Sequence, residues 1–164
     1  MSNASIIEET LAAWARDPER ARSAPTLTAR SEEGQVAIQA GPFTWRADLP
    51  APLGGTNQAP SPTALLLGAL AGCAVAFVQD TLAPQLGVRV ETVEATVRCE
   101  TDARGLLGMD GAAPDLQNMT MDVSVTSPDG EAAVAEIARL WQERCPIYLA
   151  LLKPTDIEVR FRAG

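Results

Sequence analysis

Residues 61–87 read SPTALLLGALAGCAVAFVQDTLAPQLG, and this stretch decides how the rest of the chain folds. Ser61 is placed to cap the free N–H groups of a helix, and Pro62 takes the first helical position, where its missing N–H costs nothing. No residue from Ala64 to Val78 is charged or strongly polar. A helix without a polar face must be covered on all sides, so we expect it to lie at the centre of the fold.

The composition is typical of one globular domain. The chain has 164 residues, of which 46% are hydrophobic and 21% are charged, and this length is sufficient for a core. The net charge of −8 argues against nucleic acid and anionic membranes as partners. The uncharged run Ala64–Val78 is shorter than the ~20 residues that span a bilayer, and Glu8 and Glu9 lie where a signal peptide would be apolar. We therefore expect a cytoplasmic protein with no membrane or nucleic-acid partner.

The absence of histidine narrows the possible chemistry. It excludes Ser-His-Asp and Cys-His catalysis and most zinc and iron sites. The glycines do not have the spacing of nucleotide-binding loops or of a nucleophile elbow. We expect no metal and no cofactor, which leaves cysteine, arginine, carboxylates and hydroxyls. The three cysteines contain no CxxC pair and do not form a structural disulfide framework in a reducing compartment.

Hydrophobic periodicity predicts the remaining elements. Helical spacing predicts helices over Ala4–Arg16, roughly Asp129–Arg144, and from Cys145-Pro146 to about Leu152. Alternation predicts strands at Thr26–Arg30, Gln35–Gln39, Phe43–Ala47, Val93–Glu100, Met119–Val125 and Ile157–Phe161. This order predicts an α+β fold with a largely antiparallel sheet. We assign residues 1–24 to an N-terminal helical extension and residues 25–164 to a single domain.

The central helix also predicts a dimer. One sheet covers only one side of the helix, and a chain of this size lacks a second layer. A homodimer that pairs two such helices between two sheets would bury both, and the small residues Gly68, Ala69, Gly72 and Ala76 would allow their close approach.

The cysteines lie in contrasting settings. Cys73 is in the middle of the apolar helix, where burial raises the pKa of a thiol and leaves it inert unless a cation is nearby. Cys145 directly precedes Pro146, so it is placed to cap the short helix, whose positive end favours a thiolate. We interpret Cys99 as a core residue of its strand. Spacing does not show whether Cys73 and Cys145 meet, so Cys73 is either a packing residue or a reactive thiol.

Two segments resemble the signatures of a known family. PSPTALLLGALAGC, which ends at Cys73, and RCPIYLALLKPTDIEVRF, which starts at Arg144, resemble those of the osmotically inducible protein C/organic hydroperoxide resistance (OsmC/Ohr) family. The resemblance extends roughly from Thr26 to Arg162 and includes a P-x-GG loop at Pro52–Gly55. It implies an OsmC-like fold, with antiparallel sheets wrapped around long central helices in an intertwined homodimer. It also implies thiol-dependent reduction of organic hydroperoxides, and leaves hydrogen peroxide open as a substrate.

The resemblance also implies roles for individual residues. Cys73 matches the peroxidatic cysteine and Cys145 the resolving cysteine, whose disulfide a dithiol reductant, lipoyl-type or another thiol, then reduces. Arg30, in LTARSEEGQ, is the best match to the activating arginine, and Arg46 is the reserve candidate.

The chain departs from this family at one position. In the peroxidase members a glutamate follows the proline that starts the central helix and holds the arginine in place, whereas Pro62 is followed here by Thr63. Glu32, Glu33 and Asp48 are the candidates to replace that glutamate. Phe77 and Tyr148 each lie one turn beyond a cysteine, so we expect both to line an apolar substrate pocket, with core packing as the alternative. A second hypothesis for the whole protein is a non-catalytic dimer that binds a small hydrophobic ligand, with Cys73 as a packing residue.

Overall fold

The computed structural model describes residues 2–153 and 155–164 and consists of six α-helices and five β-strands. The helices are α1 (Asn3–Arg16), α2 (Pro62–Phe77), α3 (Ala83–Leu86), α4 (Ala103–Leu106), α5 (Glu131–Arg144) and α6 (Pro146–Leu152). The strands are β1 (Thr28–Glu32), β2 (Gln35–Ala40), β3 (Phe43–Ala47), β4 (Thr92–Glu100) and β5 (Gln117–Thr126). All strand pairs are antiparallel, so the predicted α+β class is confirmed.

The central helix begins as the sequence predicts. The Ser61 hydroxyl accepts a hydrogen bond from the Ala64 N–H at 3.1 Å, and α2 continues through a π-helical turn, Val78–Leu82, into α3. Pro84 explains that turn, because proline has no N–H to donate and its ring would clash with the carbonyl four residues earlier. Gly87 ends the segment in the left-handed conformation, at φ 67°.

The whole helical segment Pro62–Leu86 has 25 residues and, by length and composition alone, is apolar enough to cross a membrane. It is longer than the uncharged run counted in the sequence because it includes the polar π-helical turn. A core helix of a soluble protein satisfies the same two criteria, so this observation is weak evidence for a membrane span.

One sheet, formed by β4 and β5, packs against α2. Val93 lies opposite Val125, and Val97 opposite Met121. Side chains at paired positions share a face, so the apolar residues of both strands lie on one side. The described core joins this face to α2, α5 and the start of α6, and its buried members are Leu70, Ala74, Val78, Leu82, Ala83, Ile137, Leu140, Trp141 and Cys145.

The other sheet has the order β1-β2-β3, and no helix of the described chain packs extensively against either of its faces. Ala37 of β2 pairs with Arg30 on one side and with Arg46 on the other, so both arginines lie on one face. The opposite face is apolar and includes Ile38, opposite Trp45. In the single chain this apolar face is partly open to solvent, with Phe43 exposed and Ile38 half-buried.

The predicted final strand Ile157–Phe161 is wrong for the single chain. Residues 155–164 form neither helix nor strand, and the side chains of Ile157 and Phe161 are 81% and 98% exposed. The alternation typical of a strand is present, but no strand lies beside it. A strand depends on hydrogen bonds to a neighbour, so alternation alone does not form one.

The N-terminal helix α1 begins one residue earlier than predicted and contacts α3 and the π-helical turn. It buries none of its side chains fully, and Leu11 and Trp14 are 49% and 43% exposed. The division into an extension of residues 1–24 and a domain of residues 25–164 stays a prediction.

Candidate functional site

The fold brings Cys73 and Cys145 together, although they are 72 positions apart in the chain. Cys73 lies on α2, and Cys145 is fully buried at the junction of α5 and α6. Their Sγ atoms are 3.1 Å apart. A disulfide bond is about 2.05 Å long, so the two thiols are free but close enough to be joined by a small movement.

The first turn of α6 directs backbone N–H groups at both sulfurs. Cys145 is the N-cap, as predicted, and its Sγ accepts a hydrogen bond from the Tyr148 N–H at 3.5 Å. The Ile147 N–H lies near the sulfur of Cys73 and lowers the pKa of that thiol. The first N–H groups of a helix have no partner within the helix, and Pro146 at the first position leaves those of the next two residues free. The role of Ile147 was not predicted, although the Cys-Pro helix start was a signal for it.

The environment of Cys73 disfavours the thiolate in the single chain. The pKa of the Cys73 thiol is raised from 9.0 to about 11, first by burial and then by the hydrogen bond with Cys145 and the charge of Cys145. The Ile147 N–H lowers this pKa, but by less. No cation of the described chain lowers this pKa. At pH 7 a thiol with this pKa is ionised in only about one molecule in ten thousand.

An apolar cavity of about 560 Å³ lies between α2, β5, α5 and α6, and its wall includes a residue next to Cys73 in the chain but neither Cys73 nor Cys145 itself. Its wall includes Leu70 and Ala74 of α2, Met121 of β5, and the rings of Trp141 and Tyr148. These two rings have centroids 5.2 Å apart. Only apolar chains fit such a wall without losing hydrogen bonds to water.

The two aromatic residues predicted to line the pocket lie in different places. Tyr148 lines the cavity and is linked to Cys145 through its backbone N–H. Phe77 packs against the core cluster and is not part of the cavity wall.

The two candidate arginines are not brought to the thiols of their own chain. Arg30 and Arg46 lie on the polar face of the three-stranded sheet. Arg46 donates to the side chain of Gln35 at 3.2 Å, whereas the guanidinium of Arg30 makes no hydrogen bond or ion pair with any described residue. Neither arginine acts on the pKa of Cys73 within the chain. The choice between Arg30 and Arg46 as activator therefore stays a prediction.

Thr63 and Cys99 do not contribute contacts to the thiol site. Thr63, which replaces the glutamate of the peroxidase members, makes no side-chain hydrogen bond within residues 2–153 and 155–164. Cys99 is half-buried on β4. No group of three or more histidine, cysteine or acidic side chains in the described part of the chain could hold a metal ion.

The fold and the site define a class of α+β proteins with antiparallel sheets and two adjacent free thiols, one on the central helix and one at the start of the last helix. The family model described as OsmC-like protein matches residues 55–160, and the chain belongs to this family. The match includes Cys73 and Cys145 and begins after Arg30 and Arg46. No curated protein matches the sequence significantly.

Solved structures agree with the family assignment. An OsmC-like protein from Mycoplasma pneumoniae is 22% identical, with a TM-score of 0.65, over 80% of this chain and 89% of that chain. An organic hydroperoxide resistance protein OsmC from Legionella pneumophila is 17% identical, with a TM-score of 0.50, over 80% and 90%. The organic hydroperoxide resistance protein OhrB of Bacillus subtilis is 19% identical, with a TM-score of 0.50, over 82% and 94%. At these identities the structures establish the fold.

Proposed function

We propose that this protein is a thiol-dependent peroxidase that reduces organic hydroperoxides. The observation that carries the proposal is the 3.1 Å separation of the Cys73 and Cys145 sulfurs. The apolar cavity, whose wall includes Ala74 and Tyr148, suits the organic part of such a substrate. Two structural neighbours, from Legionella pneumophila and Bacillus subtilis, bear the name organic hydroperoxide resistance protein.

In the first step, the Cys73 thiolate attacks one oxygen of the peroxide. An S–O bond forms, the O–O bond breaks, and the departing alkoxide takes up a proton to leave as an alcohol. Cys73 is then a sulfenic acid, oxidised by two electrons. The Ile147 N–H lowers the pKa of this thiol and so favours its anionic form.

In the second step, the Cys145 sulfur attacks the sulfenic sulfur of Cys73. The S–S bond forms, the S–O bond breaks, and water leaves. A dithiol reductant, of lipoyl type or another thiol, then returns two electrons by thiol–disulfide exchange and becomes a disulfide itself. The chain returns to its starting state without a metal or a cofactor.

The first step requires a cation that the single chain does not bring to Cys73. We propose that Arg30 of the partner subunit supplies it in a homodimer. The three-stranded sheet that carries Arg30 does not pack extensively on the helices of its own chain, so it is free to cover a second copy. A guanidinium remains charged at any working pH and donates several hydrogen bonds, so it both lowers the thiol pKa and stabilises the departing oxygen.

The exposed face of α2 supports a dimer. Gly68, Ala69, Gly72 and Ala76 are all exposed in the single chain and follow one another at helical spacing. Small residues allow two helices to approach closely. Pairing of the two α2 helices would cover the apolar surface that β4 leaves open.

A second candidate function is the non-catalytic binding of a small hydrophobic ligand. The raised pKa of Cys73 and the apolar cavity of about 560 Å³ favour it, since ligand pockets commonly have volumes of ~300–1,000 Å³. In this alternative both thiols are packing residues.

Steady-state consumption of cumene hydroperoxide, with dihydrolipoamide as reductant, distinguishes the two functions. The peroxidase consumes many equivalents of hydroperoxide per chain, Cys73→Ser abolishes the reaction, and Cys99→Ser, the matched control, leaves it unchanged. Consumption no faster than that of Cys73→Ser would reject the peroxidase, and saturable binding of the hydroperoxide without turnover would favour the ligand-binding alternative.

A further inference from the structure

The loop between β3 and α2 is organised around a buried carboxylate. Asp48 is 5% exposed. Its two oxygens accept hydrogen bonds from the N–H groups of Leu49 at 2.7 Å, Thr56 at 3.1 Å and Gln58 at 3.0 Å, and from the Thr56 hydroxyl at 2.6 Å. Charge-assisted hydrogen bonds are stronger and more directional than neutral ones, so one side chain fixes both halves of the loop.

Backbone contacts close the same loop. The Asp48 N–H donates to the carbonyl of Pro60 at 3.1 Å, and the Asn57 N–H donates to the carbonyl of Leu49 at 3.1 Å. Gly55 permits this close packing, because a Cβ atom there would lie 1.9 Å from the Leu49 oxygen and 2.7 Å from an Asp48 oxygen. The end of β3 is therefore held beside the start of α2.

This loop is the covalent link between two parts that touch little elsewhere. On one side is the sheet that carries Arg30 and Arg46, which no helix packs against extensively. On the other side is α2, which begins after Pro60 and carries Cys73. The direction in which the sheet leaves α2 therefore depends on how the loop is held.

We propose that Asp48 is a positioning residue that fixes the arginine-bearing sheet relative to the helix that carries Cys73. The inference rests on the proposed function. If the α2 helices pair in the dimer, the orientation of each sheet on its own α2 determines where its arginines meet the partner's thiol.

The charge of Asp48 makes it a permanent feature of the loop rather than a switch. Hydrogen bonds from Gln58 and Thr56 lower the pKa of the Asp48 carboxyl from 3.8 to about 2. The carboxylate is therefore ionised throughout the neutral range, and its four donors stay bound.

Asp48→Asn tests the inference, because it keeps the size of the side chain but replaces one acceptor oxygen by an NH₂ group. We expect the Thr56 and Gln58 amides to exchange with deuterium at least ten-fold faster. We also expect Cys73 to be alkylated about ten- to a hundred-fold more slowly at pH 7, since a misplacement of ~1 Å can cost a hundred-fold in rate. The pH–rate profile of Cys73 alkylation shifts to higher pH, while the exchange rates of core amides and the mass of the oligomer are unchanged. Asp110→Asn, an exposed aspartate without a hydrogen bond to any described residue, is the matched control.

Thr56→Val is the second variant if Asp48→Asn does not fold. It removes the hydroxyl donor and keeps the carboxylate and its three backbone donors, so we expect a smaller shift in the same direction. Two results in a folded variant would overturn the inference. One is faster deuterium exchange of the loop amides with an unchanged pH profile of Cys73 alkylation, and the other is unchanged exchange of the loop amides. Absence of hydroperoxide turnover in the wild type rejects the proposed function instead, because the exchange and alkylation measurements do not depend on turnover.

Discussion

Replacement of Arg30 by methionine tests how Cys73 becomes reactive. Methionine keeps much of the length of the side chain and removes its charge. If Arg30 of the partner subunit faces Cys73, the variant loses the only cation assigned to the thiol. The thiol pKa then returns to the value that the chain's own groups set.

The structure gives the size of the effect. The groups of a single chain raise the pKa of Cys73 to about 11, and an opposite charge within ~4–6 Å lowers the pKa of an acid by ~1–3 units. We therefore expect a wild-type pKa below 11 and a variant pKa close to it. Below both values the thiolate fraction falls ten-fold for each unit, so Arg30→Met should slow alkylation and peroxide reduction at pH 7 by about one to three orders of magnitude.

The assay is the rate of Cys73 alkylation by iodoacetamide as a function of pH. Trypsin cleaves after Arg46, Arg89 and Arg98, so Cys73 and Cys99 fall in different peptides, and Cys145 follows Arg144 in a third. Mass spectrometry of these peptides therefore measures Cys73 alone. Arg98→Met is the matched control, because Arg98 is an exposed arginine paired with Asp122 on the other sheet.

The result that would refute this reasoning is an Arg30→Met variant with the wild-type pH profile and peroxide rate. If Arg46→Met then shifts the profile, the role belongs to Arg46. If neither variant shifts it, activation by an arginine of this sheet is wrong.

Three further predictions follow from other parts of the structure. Gly72→Leu leaves the single chain folded, since no heavy atom lies within 4 Å of a Cβ at Gly72, but it dissociates the dimer, so light scattering should give the mass of one chain. A variant that remains a stable dimer would contradict the pairing of α2 helices. Leu82→Ala, at a fully buried position, lowers the free energy of unfolding in urea by ~2–5 kcal/mol because it leaves a cavity in the core; a loss below 1 kcal/mol would contradict this packing. Because the pKa of Asp48 is lowered to about 2, its stabilisation is present above about pH 4 and is lost as the pH falls towards 2. The melting temperature of Asp48→Asn should therefore fall less over this range than that of the wild type, and parallel curves would exclude this role.

Local chemistry made several elements predictable. Ser61 and Pro62 mark the start of α2, and Cys145-Pro146 marks the break between α5 and α6. Glu33 and Gly34 form the turn between β1 and β2 with positive φ angles, which a glycine adopts without strain. Each of these features depends on a few neighbouring residues, so the sequence contains the information.

The rest depends on contacts between distant residues. Whether Cys73 and Cys145 meet is decided by how α6 packs on α2, and hydrophobic periodicity does not contain that packing. The role of the Asp48 carboxylate in closing its loop was not predicted, because its donors are mostly backbone N–H groups, which leave no residue-type pattern. The prediction of a final strand was wrong because a strand needs a neighbouring strand to accept and donate its hydrogen bonds, and alternation at Ile157–Phe161 does not provide one.

Oxidation of the reduced protein by one equivalent of cumene hydroperoxide tests the central claim most directly. The chain has three free cysteines. We predict that titratable thiols fall from three to one per chain, that the remaining thiol is Cys99, and that the peptides containing Cys73 and Cys145 are recovered joined by a disulfide. Three remaining thiols, or a disulfide that includes Cys99, would contradict the account.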